Sequence, residues 1–261
     1  MSRTNPALPD LTGSVALITG GDGGIGSGLV SRFAEAGATV VIHHLADPGR
    51  ARELAAEITA RGGTASTARG DIRDLGQCRA VVAAVIEMHG RLDALVNNAG
   101  VQPLQPLETM TVAEWESVLS VNLTGTFAMT QAAAEVMRAH GGGSVTHIAS
   151  VEASLPAPNH AHYAASKAAV KMHARAAALE LGPHGIRVNT VSPGLIDRGD
   201  LAEAWPLGHS TWLRADPLRR TGTPQDIADA CIFLASPMAS WVSGHDLVVD
   251  GGMTAVPAWG W

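Results

Sequence analysis

The chain has 261 residues, 46% of them hydrophobic and 16% charged, with a formal net charge of −6. The acidic balance and the lack of a basic run exclude a nucleic-acid surface, and no apolar run reaches the ~18 residues that span a bilayer. Cys78 and Cys231 lack metal-ligand spacing and read as reduced thiols, and Met1 to Asp10 lack the apolar core of a secretory signal, so a soluble, cytoplasmic protein without a metal is expected.

In chain order, Val15 to Thr19 predicts a buried strand by length and flanks. Gly20-Gly21-Asp22-Gly23-Gly24-Ile25-Gly26 follows, and the periodicity of Leu29, Val30, Phe33 and Ala34 predicts a helix ending at Gly37. Strand, glycine turn and helix suit a dinucleotide, because glycines let the backbone approach a pyrophosphate and the helix N-terminus offers it free N–H groups. Thr39 to Ile42 predicts a second strand, followed by His43 and His44. Asp47-Pro48 reads as the N-cap and first residue of a helix through Ile58. A short third strand precedes Asp71, a helix runs from Leu75 to Met88, and Leu92 to Val96 is the fourth strand. Asn97-Asn98-Ala99-Gly100 closes it, and one helix is expected from Val112 through Met137, with Asn122 inside.

Val145 to Ala149 predicts the next strand, which places Ser150 at its carboxyl end, where open α/β sheets bind ligands. Tyr163 is the only tyrosine of the chain, and Lys167 is one of two lysines. Four residues apart on a helix, they share a face. A free phenol, with a pKa near 10, is a poor base near neutrality, and a neighbouring cation favours its phenolate. The helix ends near Gly182-Pro183, and a strand from Ile186 to Val191 leads to Ser192-Pro193-Gly194. The stretch 195–223 reads as irregular and long enough for a lid. Thr223-Pro224 starts a helix through Leu234, and Leu247 to Val249 is the last strand. Alternating strands and helices without a linker predict one doubly wound parallel α/β domain over 1–261.

Thr19-Gly20-x-x-x-Gly24-x-Gly26, Asp71, Asn97-Asn98-Ala99-Gly100, Asn122, Ser150, Tyr163-x-x-x-Lys167 and Pro193-Gly194 fall in order along nearly the whole chain. In them the chain resembles the short-chain dehydrogenase/reductase family. The resemblance implies a Rossmann-type, three-layer αβα fold of about seven parallel strands, and hydride transfer between a nicotinamide cofactor and a small-molecule carbonyl or secondary alcohol. It implies Asn122, Ser150, Tyr163 and Lys167 as the catalytic set. Tyr163 would exchange the proton, Lys167 would lower its pKa and hold the cofactor ribose, Ser150 would bind the substrate oxygen, and Asn122 would position a water. The implied cofactor contacts are Thr19, Gly20, Asp22, Gly24, Ile25, Gly26, His44, Asp71, Ile72, Asn98, Ala99, Gly100, Tyr163, Lys167, Pro193, Gly194 and Ile196. Substrate contacts are expected from Gln102, Glu152, His160, Leu195, Trp205 and Trp212. Many relatives are tetramers, so a homotetramer is implied.

The chain also departs from the family. Arg198 stands where relatives often carry a cofactor-touching threonine, and Glu152 is an unusual charge beside Ser150. His44 holds the place of the aspartate of NAD-preferring members, so no carboxylate there repels a 2′-phosphate. Gly23 supplies no cation where NADP-preferring members place one. NADP(H) is favoured, with NAD(H) or dual use as the alternative. Two other functions fit the pattern. Reduction of an oxoacyl group on an acidic carrier protein would call on Arg138, Arg175 and His184, and the net charge opposes it. A non-catalytic dinucleotide sensor would usually lose the Tyr163/Lys167 pair.

Overall fold

The strands are short apolar runs covered on both faces, the pattern of a parallel sheet. The computed structural model describes residues 8–256, so the ends of the expected 1–261 domain lie outside the described residues. Val15–Ile18 (β1), Thr39–His44 (β2), Thr64–Arg69 (β3), Ala94–Asn97 (β4), Gly143–Ile148 (β5), Ile186–Pro193 (β6) and Asp246–Val249 (β7) form one sheet. Its order is β3-β2-β1-β4-β5-β6-β7, with every pair parallel. The order reverses between β1 and β4, and the crevice outside their carboxyl ends is where such sheets take ligands. The three-layer, doubly wound fold expected from the alternation is the one observed.

Alternate strand residues feed two cores. Ile18, Val40 and Ile42 pack with Leu29 and Phe33 of α1 (Gly24–Glu35), Leu54 of α2 (Gly49–Ala60) and Ile227 and Ile232 of α9 (Pro224–Ala235). Leu17, Val41 and Leu95 pack on the other face with Val82 of α3 (Leu75–His89), Met129 and Met137 of α5 (Thr126–Ala139) and Ala174 of α6 (Ala161–Leu181). Helix α9 starts with a capping box between Thr223 and Asp226 and has Pro224 in its first turn, a combination that satisfies the orphan amides.

Three expectations are corrected. The helix expected over residues 112–137 is α4 (Val112–Leu119), a π turn over Ser120–Gly125 and then α5. The segment 195–223 is not irregular: it carries α7 (Leu201–Ala204) and α8 (Pro206–Ala215), the latter with Pro206 in its first turn. Its base is closed by a parallel bridge between Ile196 and Gly222. Pro48, not Asp47, is the N-cap of α2, although the Asp47 carboxylate still accepts from Gly49 N at 2.8 Å.

Candidate active site

The glycine turn is held from three sides. The Thr19 hydroxyl accepts from the amides of Asn98 and Ala99 at 2.9 and 3.0 Å. The Asn98 Nδ2 group donates to the carbonyls of Thr19 and Gly20, both at 3.0 Å. His43 completes the clamp: Nδ1 accepts from Gly20 N at 3.2 Å, and Nε2 donates to Gly70 O at 3.0 Å. Burial lowers the His43 pKa, so the ring stays neutral in this role. Both its ring nitrogens are occupied, which removes it as a phosphate donor. His44, beside it in β2, is also buried, and its Nδ1 has no hydrogen-bond partner among the described residues. Sequence reading singled out His44 and could not see the clamp formed by His43, because it depends on Gly20 and Gly70, 23 and 27 residues away.

Gly26 shows why the turn needs glycine. A Cβ there would stand 2.1 Å from Gly20 O and 2.9 Å from Asn98 Nδ2. Gly24 has φ +45°, a left-handed backbone that favours glycine. The Arg198 side chain lies over it, with Nε and Nη1 3.5 Å from the position of a Gly24 Cβ. The Arg198 guanidinium is exposed and makes no hydrogen bond or ion pair among the described residues. An unpaired guanidinium over a cradle of backbone at a helix start fits the diphosphate of a dinucleotide. Asp22 belongs to the same turn, and Ile25 to the first turn of α1.

Other expected cofactor positions are seen in less direct roles. The Asp71 carboxylate is paired with Arg73, whose guanidinium holds it below the usual carboxylate range. Ile72 is buried in the second core and lies under Gly125. Pro193 ends β6, and Gly194 N donates to Val249 O at 3.0 Å. Ile196 is buried in the first core, and Leu195 O accepts from Gly222 N at 2.9 Å. Gly100 lies against Asn122 and Lys167: a Cβ on it would be 3.2 Å from Asn122 Oδ1 and 3.6 Å from Lys167 Nζ.

The four residues of the expected catalytic set meet in one place. Ser150 follows β5 and caps a short 3₁₀ turn, its Oγ accepting from Glu152 N at 3.1 Å. Lys167 is buried on α6, with Nζ donating to Ile148 O at 2.7 Å and lying 5.6 Å from the centre of the Tyr163 ring. Asn122, in the π turn, accepts from Val101 N at 2.8 Å and donates to Val101 O at 3.0 Å and Ser166 Oγ at 3.1 Å. It thereby ties the loop after β4 to the helix that carries Tyr163 and Lys167. The Asn122 carbonyl accepts from the Thr126 hydroxyl at 2.8 Å.

Burial pushes the Tyr163 phenol up to about 12. The Ser150 hydroxyl opposes the shift, the Glu152 charge adds to it, and the Arg198 charge opposes it. Lys167 does not hold this phenol below its ordinary value, contrary to the sequence expectation, because burial outweighs every neighbouring charge. Burial also pulls Lys167 down to about 8, which leaves it mostly cationic at neutral pH.

Three expected substrate residues gather beside Tyr163. Glu152 accepts from Gln102 Nε2 at 2.9 Å and from His160 Nδ1 at 2.8 Å, and the His160 ring meets the Tyr163 ring edge-on at 6.0 Å. Trp205 and Trp212 sit elsewhere. With Leu207 and Met253 they line an apolar cavity of about 310 Å³ whose walls include none of Ser150, Tyr163 and Lys167. Trp212 Nε1 donates to the buried Asp216 at 3.3 Å. Among the described residues, no three His, Cys, Asp or Glu side chains gather as a metal site requires.

Comparison with known proteins bears on the family and the fold. A family model described as enoyl-(acyl carrier protein) reductase matches residues 20–254. The chain is 40% identical over 255 residues to D-threitol dehydrogenase of Mycolicibacterium smegmatis, covering 94% of each protein. A 7α-hydroxysteroid dehydrogenase solved with NADH and 7-oxo glycochenodeoxycholic acid superposes with a TM-score of 0.89 at 38% identity, over 93% of this chain and 95% of that one. A gluconate 5-dehydrogenase of Burkholderia cenocepacia, solved with NADP and tartrate, gives 0.89 at 35%, over 95% and 98%.

Proposed function

The chain belongs to the short-chain dehydrogenase/reductase family and is an NAD(P)-dependent oxidoreductase of small-molecule alcohols and carbonyls, and we propose that Tyr163 is its acid–base residue, with Ser150, Lys167 and Asn122 completing the catalytic set. The convergence of the Ser150 hydroxyl and the Lys167 ammonium on one phenol carries this reading. When bound, the nicotinamide cofactor supplies or accepts the hydride. In reduction, Tyr163 Oη gives its proton to the carbonyl oxygen. Ser150 Oγ donates a hydrogen bond to the same oxygen, where negative charge develops. In oxidation the alcohol proton passes to Tyr163. A phenol pushed up to about 12 carries its proton at neutral pH, the form that reduction needs, and the Ser150 hydroxyl and the Arg198 charge favour the phenolate needed in the reverse direction. Asn122 fixes the spacing between the loop after β4 and α6.

Tyr163→Phe keeps the ring and removes the proton. Turnover should fall by about 10²- to 10⁴-fold, with cofactor binding unchanged. Near-normal turnover would overturn the assignment.

The cofactor would sit on the glycine turn with its diphosphate under Arg198. NADP(H) is favoured over NAD(H), because His44 stands where a carboxylate would repel a 2′-phosphate. The solved relatives hold NADH in one case and NADP in the other. The segment 195–223, pinned by the Ile196–Gly222 bridge, is proposed to close over substrate, and equal rates of proteolysis with and without ligands would remove that role. A homotetramer is proposed from apolar side chains left outside: Phe127 and Met172 on α5 and α6, and Trp241 and Val248 near β7. Sedimentation as a monomer at micromolar concentration would refute it. No helix among the described residues is long and apolar enough to cross a membrane; a cytoplasmic location rests on composition alone, and cell fractionation tests it.

A further inference from the structure

The Gln102–Glu152–His160 cluster is a polar constellation that the acid–base chemistry does not use. The Glu152 side chain is 16% exposed and that of His160 13%. No lysine or arginine pairs with Glu152 among the described residues; its oxygens take one hydrogen bond each, from the Gln102 amide and the His160 ring. A carboxylate oxygen offers two acceptor sites, so each keeps capacity. Because a carboxylate only accepts, the shared proton lies on His160 Nδ1. In the neutral ring Nε2 is then an acceptor, and it has no partner among the described residues. The cluster therefore presents acceptor capacity on the Glu152 carboxylate and, in the neutral ring, on His160 Nε2, with the second N–H of the Gln102 amide beside them.

The placement is costly in one respect. Glu152 is close enough to oppose ionisation of Tyr163, which hinders the phenolate needed in oxidation. An apolar ketone covering this corner would strip water from a charged group and return no hydrogen bond, a large penalty. A substrate carboxylate there would meet like charge. A hydroxyl group would donate into the array and replace the lost water.

We propose that Gln102, Glu152 and His160 form the substrate-recognition subsite, which selects neutral substrates carrying a hydroxyl next to the reacting carbon: vicinal diols, polyols and sugars. This rests on the reading of Tyr163 as the acid–base residue, whose ring His160 touches. The hydroxyl on the reacting carbon faces Ser150 and Tyr163, and its neighbour donates to Glu152 or to His160 Nε2.

The test compares matched substrates that differ by one hydroxyl, 2,3-butanediol against 2-butanol and 1,2-cyclohexanediol against cyclohexanol, with glycerate as the charged analogue. kcat/KM is read from cofactor absorbance for the wild type, Glu152→Gln and His160→Ala, with melting temperature as the check on folding. The wild type should prefer each diol by about tenfold or more, the return on one hydrogen bond to a charged group. In Glu152→Gln the ratio of diol to simple-alcohol kcat/KM should collapse, with simple-alcohol oxidation rising because the charge that opposes the Tyr163 phenolate is gone, and glycerate should improve. His160→Ala should lower the diol preference in the same direction and keeps the test alive if Glu152→Gln does not fold. Equal use of diol and simple alcohol by the wild type would overturn the proposal, as would equal loss on both in Glu152→Gln, or no turnover of any diol. Failure of the underlying reading is distinguishable: there, turnover of whichever alcohol is accepted would survive Tyr163→Phe.

Discussion

Gly26→Ala isolates the contribution of the glycine turn, because the added methyl group has a measurable obstacle. Its Cβ would lie 2.1 Å from Gly20 O and 2.9 Å from both Asn98 Nδ2 and Gly21 Cα. An ordinary carbon–oxygen contact is about 3.3 Å, so either the start of α1 or the turn must retreat by about 1 Å. Neither moves freely: Asn98 and His43 fasten the turn, and Leu29 and Phe33 seat the helix in the core. Overpacking of this kind costs about 1–3 kcal/mol, which lowers Tm by several degrees in a domain of this size. The same retreat pulls the N–H groups at the helix start off the cofactor diphosphate. Losing one hydrogen bond to a charged group costs about 1.5–3 kcal/mol, or about 10- to 100-fold in Kd. The assay is cofactor titration by fluorescence or calorimetry, with Tm measured in parallel. Gly23→Ala is the control, since φ there is −132° and an added Cβ meets nothing within 4 Å; it should stay within about 0.5 kcal/mol of wild type. Wild-type Kd and Tm in Gly26→Ala would refute the reasoning, as would equal damage from Gly23→Ala.

Arg198→Ala should weaken cofactor binding by about tenfold, about 1.4 kcal/mol, with Tm unchanged because the guanidinium makes no hydrogen bond or ion pair among the described residues; an unchanged Kd would show that it does not meet the diphosphate. NADP(H) should exceed NAD(H) in kcat/KM with one accepted substrate; a tenfold preference for NAD(H), about 1.4 kcal/mol, would reverse the reading of His44. His147 is fully buried and accepts from Asn97 Nδ2 at 3.1 Å, and burial holds its pKa well below 6.5. A depressed histidine gives stability that is complete above about pH 6.5, its unfolded value, and is lost as pH falls towards its folded value. Melting temperature should therefore drop between about pH 7 and 5, with a shallower drop in His147→Asn; equal slopes in the two proteins would exclude His147 as the cause.

The parts of this fold that were legible in the sequence are those set by local pattern. Apolar runs such as Val15–Ile18 and the glycines after them carry their own geometry, and Tyr163 and Lys167 share a helix face by spacing alone. Other features depended on contacts between distant segments. Nothing in Ser120–Gly125 separates a π turn from an α-helix; the segment follows the needs of Asn122 between Val101 and Ser166. Pro206 was a readable start signal for α8, yet neither α7 nor α8 buries a residue, so no core-facing stripe marked the two helices. The sequence showed Glu152 as an odd charge, and only the folded chain brings Gln102 and His160 to it.

The π turn has a consequence for deletion and stabilisation of this chain. It holds one residue more than the α-helix on either side would need. Removing a single residue between Ser120 and Gly125 would regularise the backbone and leave α4 and α5 facing nearly as they do now, because the wider turn absorbs its extra residue locally. Val118, buried on α4, would keep its packing, and Asn122, inside the turn, would lose its register with Val101. The more regular helix would thus belong to a protein in which Asn122 no longer ties the loop after β4 to α6. Sequence libraries that allow shortening should accept losses within α7 and α8 long before they accept one here.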